Sequence, residues 1–388
     1  MDKATWTGVN ARGERWALLT GPAIYFGLAH ESKGPRILSI DNVASALRDA
    51  SSVATASGPL AGRSAWLITD GKASLHTQVA GVAQALGLKT KSKPVSPSAP
   101  WKYFAPWGPP DPKDRVGEPG GSFGPPWPDF VLATGRRSIP YLRAIRRRAG
   151  PATYTIVIQD PGLGARNADF FAVPEHDRMR GENVLATLTA PHAFSQAQLA
   201  GLRASPPAGI AALPKPRVAV LLGGPNGIYH YGETSLAYFA NSLASLKRLG
   251  ASFLVTPSRR TSPELVQTAA RATEGAPRIL WDGTGENPYP AFLAHADAFI
   301  VTADSVNMSG EASATGRPVY VFEGDGGTGK FARFHEALRR YGASRPLPAT
   351  FDRLESWDYT PLDSASLIAR EIERRWFERE RRVKLDGE

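Results

Sequence analysis

The chain contains no cysteine among its 388 residues. This absence excludes disulfide bonds, thiolate metal sites and a thiol nucleophile. We also find no zinc-finger spacing, no RNP-type aromatic sheet and no helix-turn-helix pattern, so we expect no nucleic-acid partner. No Asp-x-Asp pair stands on a suitable loop, and the sequence therefore implies no bound metal.

Long apolar runs are missing as well, because no stretch approaches the roughly 20 residues that a membrane-spanning helix needs. The nearest is Trp16 to Ala29, which follows several basic residues in the manner of a secretory signal but is interrupted by Pro22. No small-x-small cleavage site follows convincingly. We therefore expect a cytoplasmic protein that is either free or peripheral at the inner membrane face, with residues 1–63 as a poorly ordered extension.

Positive charge is abundant. The formal net charge is +10 at pH 7, and most of the surplus lies in arginine clusters. Such a balance favours acidic partners, either nucleotide diphosphates or an anionic membrane surface. Walker patterns are absent from the sequence.

Short apolar runs alternate with helical patterns from residue 64 onward, which predicts a parallel sheet in each half of an α/β protein. Modest helical periodicity also marks Ile40 to Ala50. A stretch rich in Pro, Ala and Gly between Ser205 and Lys215 has the composition of a domain linker. We therefore place an N-terminal domain at 64–208, a C-terminal domain at 209–350 and a final helical segment at 351–388.

The stretch from Asp297 to Phe322 is the most informative part of the chain. Its pattern predicts a buried strand, a polar loop, a short helix stopped by Gly316, and a second strand. In open parallel sheets, ligands bind at the carboxyl ends of the strands. The free N–H groups of the helix start, with the hydroxyls of Ser305 and Ser309, suit a diphosphate. Glu311 could accept two hydroxyl hydrogens of a ribose.

Ser305 to Glu311, followed by Gly316 and Pro318, resembles the donor-binding signature of GT-B glycosyltransferases. It is similar in particular to the enzyme that adds N-acetylglucosamine to the lipid-linked peptidoglycan precursor. A longer resemblance is to the mitochondrial fission (elongated-mitochondria) family, which is itself placed by similarity among GT-B proteins. The segments that carry it lie in order along the chain: Gln159-Asp160-Pro161, Pro174-Glu175-His176-Asp177, Gly223-Gly224-Pro225-Asn226, Thr256 to Thr261, Gly285 to Tyr289 and Thr302 to Ser305.

This resemblance implies two facing Rossmann-like, doubly wound α/β domains and a C-terminal helix that crosses back to the first domain. It also implies a nucleotide sugar as co-substrate, bound by the C-terminal domain, with no further cofactor. The residues expected to contact it are Gly223, Gly224, Asn226, Arg259, Asp304, Ser305, Ser309, Glu311, Lys330 and Arg333. His335 is a further candidate contact, although a basic surface helix would account for these last residues equally well.

A base for glycosyl transfer has three candidates. His176 and Asp177 follow a predicted strand end, where side chains are rigidly positioned, and His76 lies in the first turn of a predicted helix. The first two residues could instead form an ion-pair and capping cluster, and the third could be an ordinary surface or core histidine.

The segment from Pro94 to Pro128 is rich in Pro, Gly and aromatic residues. Its aromatics could face a membrane interface or a lipid-linked acceptor, or they could simply cover the domain core. The basic end of the final helix, through Lys384, is likewise a candidate membrane anchor.

Two functions follow from these observations. The first is transfer of a sugar to an envelope or lipid-linked acceptor. The second is a non-catalytic scaffold for membrane division, since the plant members of the fission family are understood to recruit a dynamin-like GTPase. Whether the protein is an enzyme stays open at this point.

Overall fold

A computed structural model divides the chain into two compact units. The structure describes residues 5–9, 15–20, 24–27 and 58–386. The N-terminal unit comprises Ser51–Ser195 together with Leu362–Glu388, and the C-terminal unit comprises Met1–Ala50 together with Gln196–Pro361.

The first part of the chain carries three short strands that pair as an antiparallel meander: β1 (Thr5–Val9), β2 (Arg15–Thr20) and β3 (Ile24–Gly27). The sequence pattern indicated only an extension here, because strands this short depend on pairing with neighbours more than on local propensity. The helix expected at 40–50 lies outside the described residues.

The N-terminal unit is built on a six-stranded parallel sheet with the order β5-β4-β6-β7-β8-β9. These strands are β4 (Ser64–Thr69), β5 (Lys89–Pro94), β6 (Phe130–Thr134), β7 (Tyr154–Ile158), β8 (Phe170–Pro174) and β9 (Val184–Thr187). The helices between them are α1 (Ala73–Ala85), α2 (Trp101–Phe104) and α3 (Ile139–Ala149), and the short 3-10 helices are Pro112–Asp114, Arg136–Ser138, Gly150–Ala152 and Ala165–Asn167.

Both faces of this sheet are covered by helices, as continuous apolar strands such as β6 and β7 require. One face packs against α1 and the C-terminal helix through Val82, Ile372 and Trp376. The other face packs against α3 through Leu142 and Ile145. The unit is therefore doubly wound.

The C-terminal unit has a second six-stranded parallel sheet, with the order β13-β12-β10-β14-β15-β17. Its strands, with the small β11–β16 pair, are β10 (Arg217–Leu222), β11 (Tyr229–His230), β12 (Ser252–Pro257), β13 (Arg278–Leu280), β14 (Ala298–Thr302), β15 (Val319–Phe322), β16 (Asp325–Gly326) and β17 (Ser344–Pro346). Its helices are α4 (Gln196–Ala204), α5 (Ala208–Ala211), α6 (Glu233–Arg248), α7 (Pro263–Ala272), α8 (Tyr289–His295), α9 (Val306–Ser313) and α10 (Gly329–Tyr341).

The last helix, α11 (Ser364–Asp386), belongs to the N-terminal unit. Its Trp376 lies between Phe130 and Tyr154, with ring centroids 4.6 and 5.9 Å away. The two Rossmann-like units and the return of the C-terminal helix to the first unit confirm the predicted fold class.

Candidate functional site

In the C-terminal unit the strand order reverses between β10 and β14. The connections on either side leave in opposite directions, which opens a crevice at the carboxyl ends of these two strands. The polar loops that follow five of the strands, at 223–228, 258–262, 281–288, 303–305 and 323–328, reach this edge of the sheet. Every nucleotide-sugar residue predicted from the sequence lies on one of these loops or on the first two turns of the helix after it.

Asp304 ties these loops together. Its side chain is fully buried, and its two carboxylate oxygens accept hydrogen bonds of 2.8 Å from the Gly224 amide and the Tyr231 hydroxyl. The guanidinium of Arg260 lies 3.5 Å from the same carboxylate. Asp304 therefore positions the loops, and Arg260 rather than the exposed Arg259 is its basic partner.

Gly223 and Gly224 are required by packing inside the protein. A Cβ atom on Gly223 would collide with the Asp304 carboxylate, and one on Gly224 would collide with the backbone carbonyl of Arg260. A neighbouring loop thus occupies the space where each side chain would lie, and the contact of these glycines with a ligand stays a prediction. Asn226 has a comparable role, because its side-chain oxygen accepts from two following amides at 3.1 Å and closes the turn.

Glu311 lies in the second turn of α9 and is half-buried. The Tyr289 hydroxyl, at the start of α8, donates a hydrogen bond to its carboxylate. Burial raises the pKa of Glu311 to about 7, although the hydrogen bond from Tyr289 opposes this shift. Burial and the neighbouring carboxylate raise the pKa of Tyr289 as well. Glu311 is thus a carboxyl group that changes charge near neutral pH.

Two serines accompany Glu311 on α9. Ser305 caps the helix, since its hydroxyl accepts from the Met308 amide at 3.4 Å. Ser309 is completely buried, and within the described part of the chain its hydroxyl has no hydrogen-bond partner. A buried hydroxyl without a partner is uncommon in folded proteins.

Lys330 and Arg333 are exposed in the first turns of α10. His335 is buried in the same helix, and its Nε2 lies 2.8 Å from the Ala303 carbonyl. Burial lowers its pKa. The predicted role of His335 as a ligand contact is therefore replaced by a structural one, because its side chain holds the 303–305 loop.

The loop that precedes α10 carries a signal that our sequence reasoning missed. Gly324, Gly329 and Lys330 have the spacing of a phosphate-binding loop between a strand and a helix. Phe331 stands where that motif has a Ser or Thr, and its ring packs on Tyr229 with centroids 5.3 Å apart. The glycines and the lysine of the motif are therefore present, but the hydroxyl that would bind Mg²⁺ is absent from position 331.

The candidate bases lie in the N-terminal unit, at the carboxyl edge of its sheet. His76 follows β4, whereas His176 and Asp177 follow β8, and two strands separate β4 from β8. Three strand spacings amount to about 14 Å, so His76 does not share a site with the other two. His76 is half-buried, and burial lowers its pKa.

Arg180 shapes the turn that carries His176 and Asp177. Its guanidinium donates to the backbone carbonyls of Glu175 and Asp177 at 3.0 and 2.7 Å. A second missed residue lies one strand away at the same edge. Gln159 follows β7 with a φ of 74°, a left-handed conformation that is uncommon for non-glycine residues and more frequent at functional sites.

The aromatic segment divides into a packed part and an exposed part. Phe123 and Trp127 pack on Trp66, with centroids 6.4 and 6.0 Å away. Tyr103, Phe104 and Trp107 are 70%, 52% and 59% exposed. One part of the segment therefore covers the core, and the other presents an aromatic patch to solvent.

The sequence profile of the family described as Mitochondrial fission ELM1 matches residues 73–376. The chain belongs to the mitochondrial fission ELM1 family. The resemblance seen in the sequence is thereby confirmed, and the matched range includes all the candidate site residues from His76 to Arg333.

Among the ELM1 relatives, the Arabidopsis thaliana mitochondrial fission protein ELM1 is 32% identical over 271 residues, which are 64% of this chain and 64% of that protein. An uncharacterized protein of Rickettsia prowazekii is 30% identical over 157 residues, which are 39% of this chain and 44% of that protein. The chain thus spans less than two thirds of the length of either relative.

Solved structures similar to this ELM1 family member include UDP-GlcNAc 2-epimerase from Methanocaldococcus jannaschii, with a TM-score of 0.46 at 9% identity over 80% of this chain and 99% of that one. Another is MurG of Acinetobacter baumannii, with a TM-score of 0.42 at 14% identity over 83% and 94%.

Within the described ranges of this ELM1 family member, no three His, Asp or Glu side chains lie close enough to hold a metal ion. No described helix is long and apolar enough to cross a membrane. The candidate residues lie mainly at one sheet edge in each unit. In the C-terminal unit these are the segments that carry Asp304 and Glu311, and in the N-terminal unit it is the turn that carries His176.

Proposed function

We propose that this ELM1 family member is a GT-B-like protein that binds a nucleotide sugar at the carboxyl edge of the C-terminal sheet. It would then transfer the sugar to an envelope or lipid-linked acceptor without a metal ion. The observation that carries this proposal is the half-buried Glu311 carboxylate, bonded to the Tyr289 hydroxyl, on a helix that starts at the sheet's switch point.

Glu311 supplies the ribose contact in this scheme. An ionised carboxylate has about four acceptor positions, and the described contacts fill one of them with the Tyr289 hydroxyl. The remaining oxygen can accept two vicinal hydroxyl hydrogens, which is the arrangement that a ribose offers. Because the pKa of Glu311 is about 7, the carboxylate form that binds hydroxyl donors predominates only above neutral pH.

Positive charge for the leaving diphosphate would come from Lys330 and Arg333 at the start of α10, with the exposed Arg259 as a third cation. The amide groups of this helix start add partial positive charge. The Gly223–Gly224 turn contributes less than expected, because the Gly224 amide is already bonded to Asp304. These cations would stabilise the charge that develops as the sugar–phosphate bond breaks.

His176, Asp177 or His76 would act as the base that removes the acceptor proton. The exposed patch of Tyr103, Phe104 and Trp107 in the same unit is chemically suited to a lipid-linked acceptor or a peripheral membrane contact. Single variants His176→Ala, Asp177→Asn and His76→Ala would rank the three by loss of kcat, once a donor is identified.

A thermal-shift screen with uridine, guanosine, cytidine and adenosine diphosphate sugars tests the binding step. We expect one nucleotide to raise Tm, and the shift to grow from pH 6 to pH 8 as Glu311 ionises. Glu311→Ala should abolish the shift, and Tyr289→Phe should move its midpoint to higher pH by removing the hydrogen bond that lowers the Glu311 pKa. If none of the nucleotide sugars raises the Tm at pH 8, the proposal is ruled out.

A non-catalytic scaffold for membrane division is the second candidate. It is favoured by the ELM1 family assignment and by the Asp304 cluster, which fills part of the switch-point crevice with a buried carboxylate. If the nucleotide panel is silent while a pulldown recovers a partner that is lost on Trp107→Ala, the scaffold function is supported.

A further inference from the structure

A cleft of about 600 Å³ lies at the amino edge of the N-terminal sheet. Its lining residues include Gly150, Pro151 and Asn167, which precede β7 and β8 in the chain. The candidate bases follow strand ends and so lie at the opposite edge, about 17 Å away along five-residue strands. The cleft is thus separate from the candidate catalytic turn.

Arginine dominates the lining of this cleft. Five arginines and one aspartate contribute ionisable side chains, a formal excess of four positive charges: Arg143, Arg146, Arg147, Arg166, Arg379 and Asp169. A volume of this size is typical of small-ligand sites, which span roughly 300–1,000 Å³. We call this feature the arginine cleft.

The single carboxylate is neutralised within the cleft. One oxygen of Asp169 accepts from Arg146 at 2.9 and 3.2 Å, and the other accepts from the Thr155 amide and hydroxyl at 2.8 and 2.6 Å. Arg146 also donates to the Arg166 carbonyl at 2.8 Å. Arg146 and Asp169 therefore form an ion pair on one side of the cleft. Among the lining residues, no further carboxylate is present for the other four arginines.

Those four arginines form no ion pair with any carboxylate in the described ranges. Arg143 donates only to the carbonyls of Pro106 and Trp107, at 3.2 and 2.7 Å, and Arg147 and Arg166 are exposed. Arg379 donates one Nη to the Pro151 carbonyl, while its other Nη is buried and lacks a partner among the described residues. The same guanidinium lies 5.5 and 5.9 Å from the ring centroids of Tyr154 and Trp376, so aromatic faces rather than a carboxylate surround its charge.

The dipole of α3 neutralises only a small part of this positive charge. The helix ends at Ala149, and its carboxyl terminus carries about half a negative charge. The four guanidinium groups without a carboxylate partner carry four positive charges, about eight times the half charge of the helix terminus. The cleft therefore keeps a strong positive potential. Guanidinium groups bind phosphate oxygens in a bidentate manner.

We propose that the arginine cleft binds an anion that carries two or more phosphate groups. Such groups occur on free polyphosphates and on phospholipid headgroups, and both would contact the exposed guanidinium groups of Arg147 and Arg166. The proposal does not depend on nucleotide-sugar binding, because it concerns a different unit and a different set of residues.

Calorimetric titration of the full chain with inorganic triphosphate, and cosedimentation with phosphatidylcholine vesicles with and without cardiolipin, test it at low ionic strength. The cleft variant carries Arg147→Glu and Arg166→Glu. The matched control carries Arg248→Glu and Arg353→Glu, two exposed arginines of the C-terminal unit, and has the same net charge. All four sites are exposed, and thermal melting confirms that each variant is folded.

We expect the cleft variant to bind at least about tenfold more weakly while the control keeps the wild-type affinity. If the cleft variant binds triphosphate more weakly than the wild type, a free anion is supported as the ligand. If only its binding to cardiolipin vesicles is weakened, a lipid headgroup is supported. The milder pair Arg147→Gln and Arg166→Gln should give an intermediate loss. Absence of binding in both assays, or an equal loss in the control, would overturn the proposal.

Discussion

Asp304 and Glu311 are acidic residues seven positions apart, and their surroundings differ. Asp304 accepts from Gly224 and Tyr231 and lies beside Arg260, so its buried charge is compensated. Glu311 has one described donor, Tyr289, which does not fully offset the loss of water. At the scale of single residues, one carboxylate maintains the fold of the loops, and the other changes charge near neutral pH.

Replacing Glu311 by Gln should stabilise the protein at high pH. The folded-state pKa of Glu311, about 7, lies above its usual value of 4.5. The stability that the protonated group contributes is therefore complete below pH 4.5 and is lost as the pH rises through 7. We expect Glu311→Gln to raise the free energy of unfolding by about 1–3 kcal/mol at pH 8, and by less than about 1 kcal/mol at pH 5.

Urea unfolding at both pH values measures this difference. Glu274→Gln, at an exposed position, is the control and should change stability equally little at each pH. A Glu311→Gln effect that is the same at pH 5 and pH 8 would show that the carboxyl group is not ionising in this range.

Gly224→Ala should destabilise the C-terminal unit by about 1–3 kcal/mol, because the added methyl group meets the Arg260 backbone and the loop must shift. Gly201→Ala is the matched control. Gly201 lies in α4 with open space around it, and alanine is favoured over glycine in a helix by about 0.5–1 kcal/mol. Thermal unfolding should thus move in opposite directions for the two variants, and a shared direction would contradict this account.

At the scale of elements, buried central strands were predictable, whereas three of the four edge strands of the two six-stranded sheets were not. β7, β10 and β15 have the bounds that their apolar runs predict. The edge strand β5 reads KTKSKP and is almost entirely exposed, so no apolar pattern marks it. Lysine on an edge strand also discourages pairing with other chains. The edge strands β9 and β17 escaped prediction for a similar reason, since each is only three or four residues long.

The C-terminal helix α11 should contribute directly to the stability of the N-terminal unit. Ile372 is fully buried in the core shared with α1, so Ile372→Ala should lower the free energy of unfolding by about 2–5 kcal/mol. Leu367 is on the same helix and 41% exposed, and Leu367→Ala should cost less than about 0.5 kcal/mol. Equal effects of the two variants in urea unfolding would contradict the packing of α11.

At the scale of the whole molecule, the N-terminal unit is assembled from two distant parts of the chain. Residues 362–388 return after the entire C-terminal unit and complete a core that includes Phe130 and Tyr154. A fragment that ends at Ser195 would expose this apolar surface to water.

We therefore expect fragment 51–195 to be less stable alone than in the presence of a peptide of residues 362–388. The peptide should raise the Tm of the fragment in a concentration-dependent manner, because it binds the folded form. A peptide with Ile372→Ala and Trp376→Ala serves as the control and should have little effect. If both peptides act alike, the helix does not complete the core in the way described.

The sequence by itself determined the α/β class, the central strands, the strand–loop–helix unit around Glu311 and the family, because these depend on local apolar patterns and on motifs contiguous in the chain. Tertiary structure alone decided what the polar residues do. Asp304 meets Gly224 and Tyr231 across 80 and 73 residues, and the arginine cleft joins α3 to α11. Contacts between segments so far apart leave no periodic signal in the sequence, since they arise only when each sheet brings its own loop ends and helix ends together.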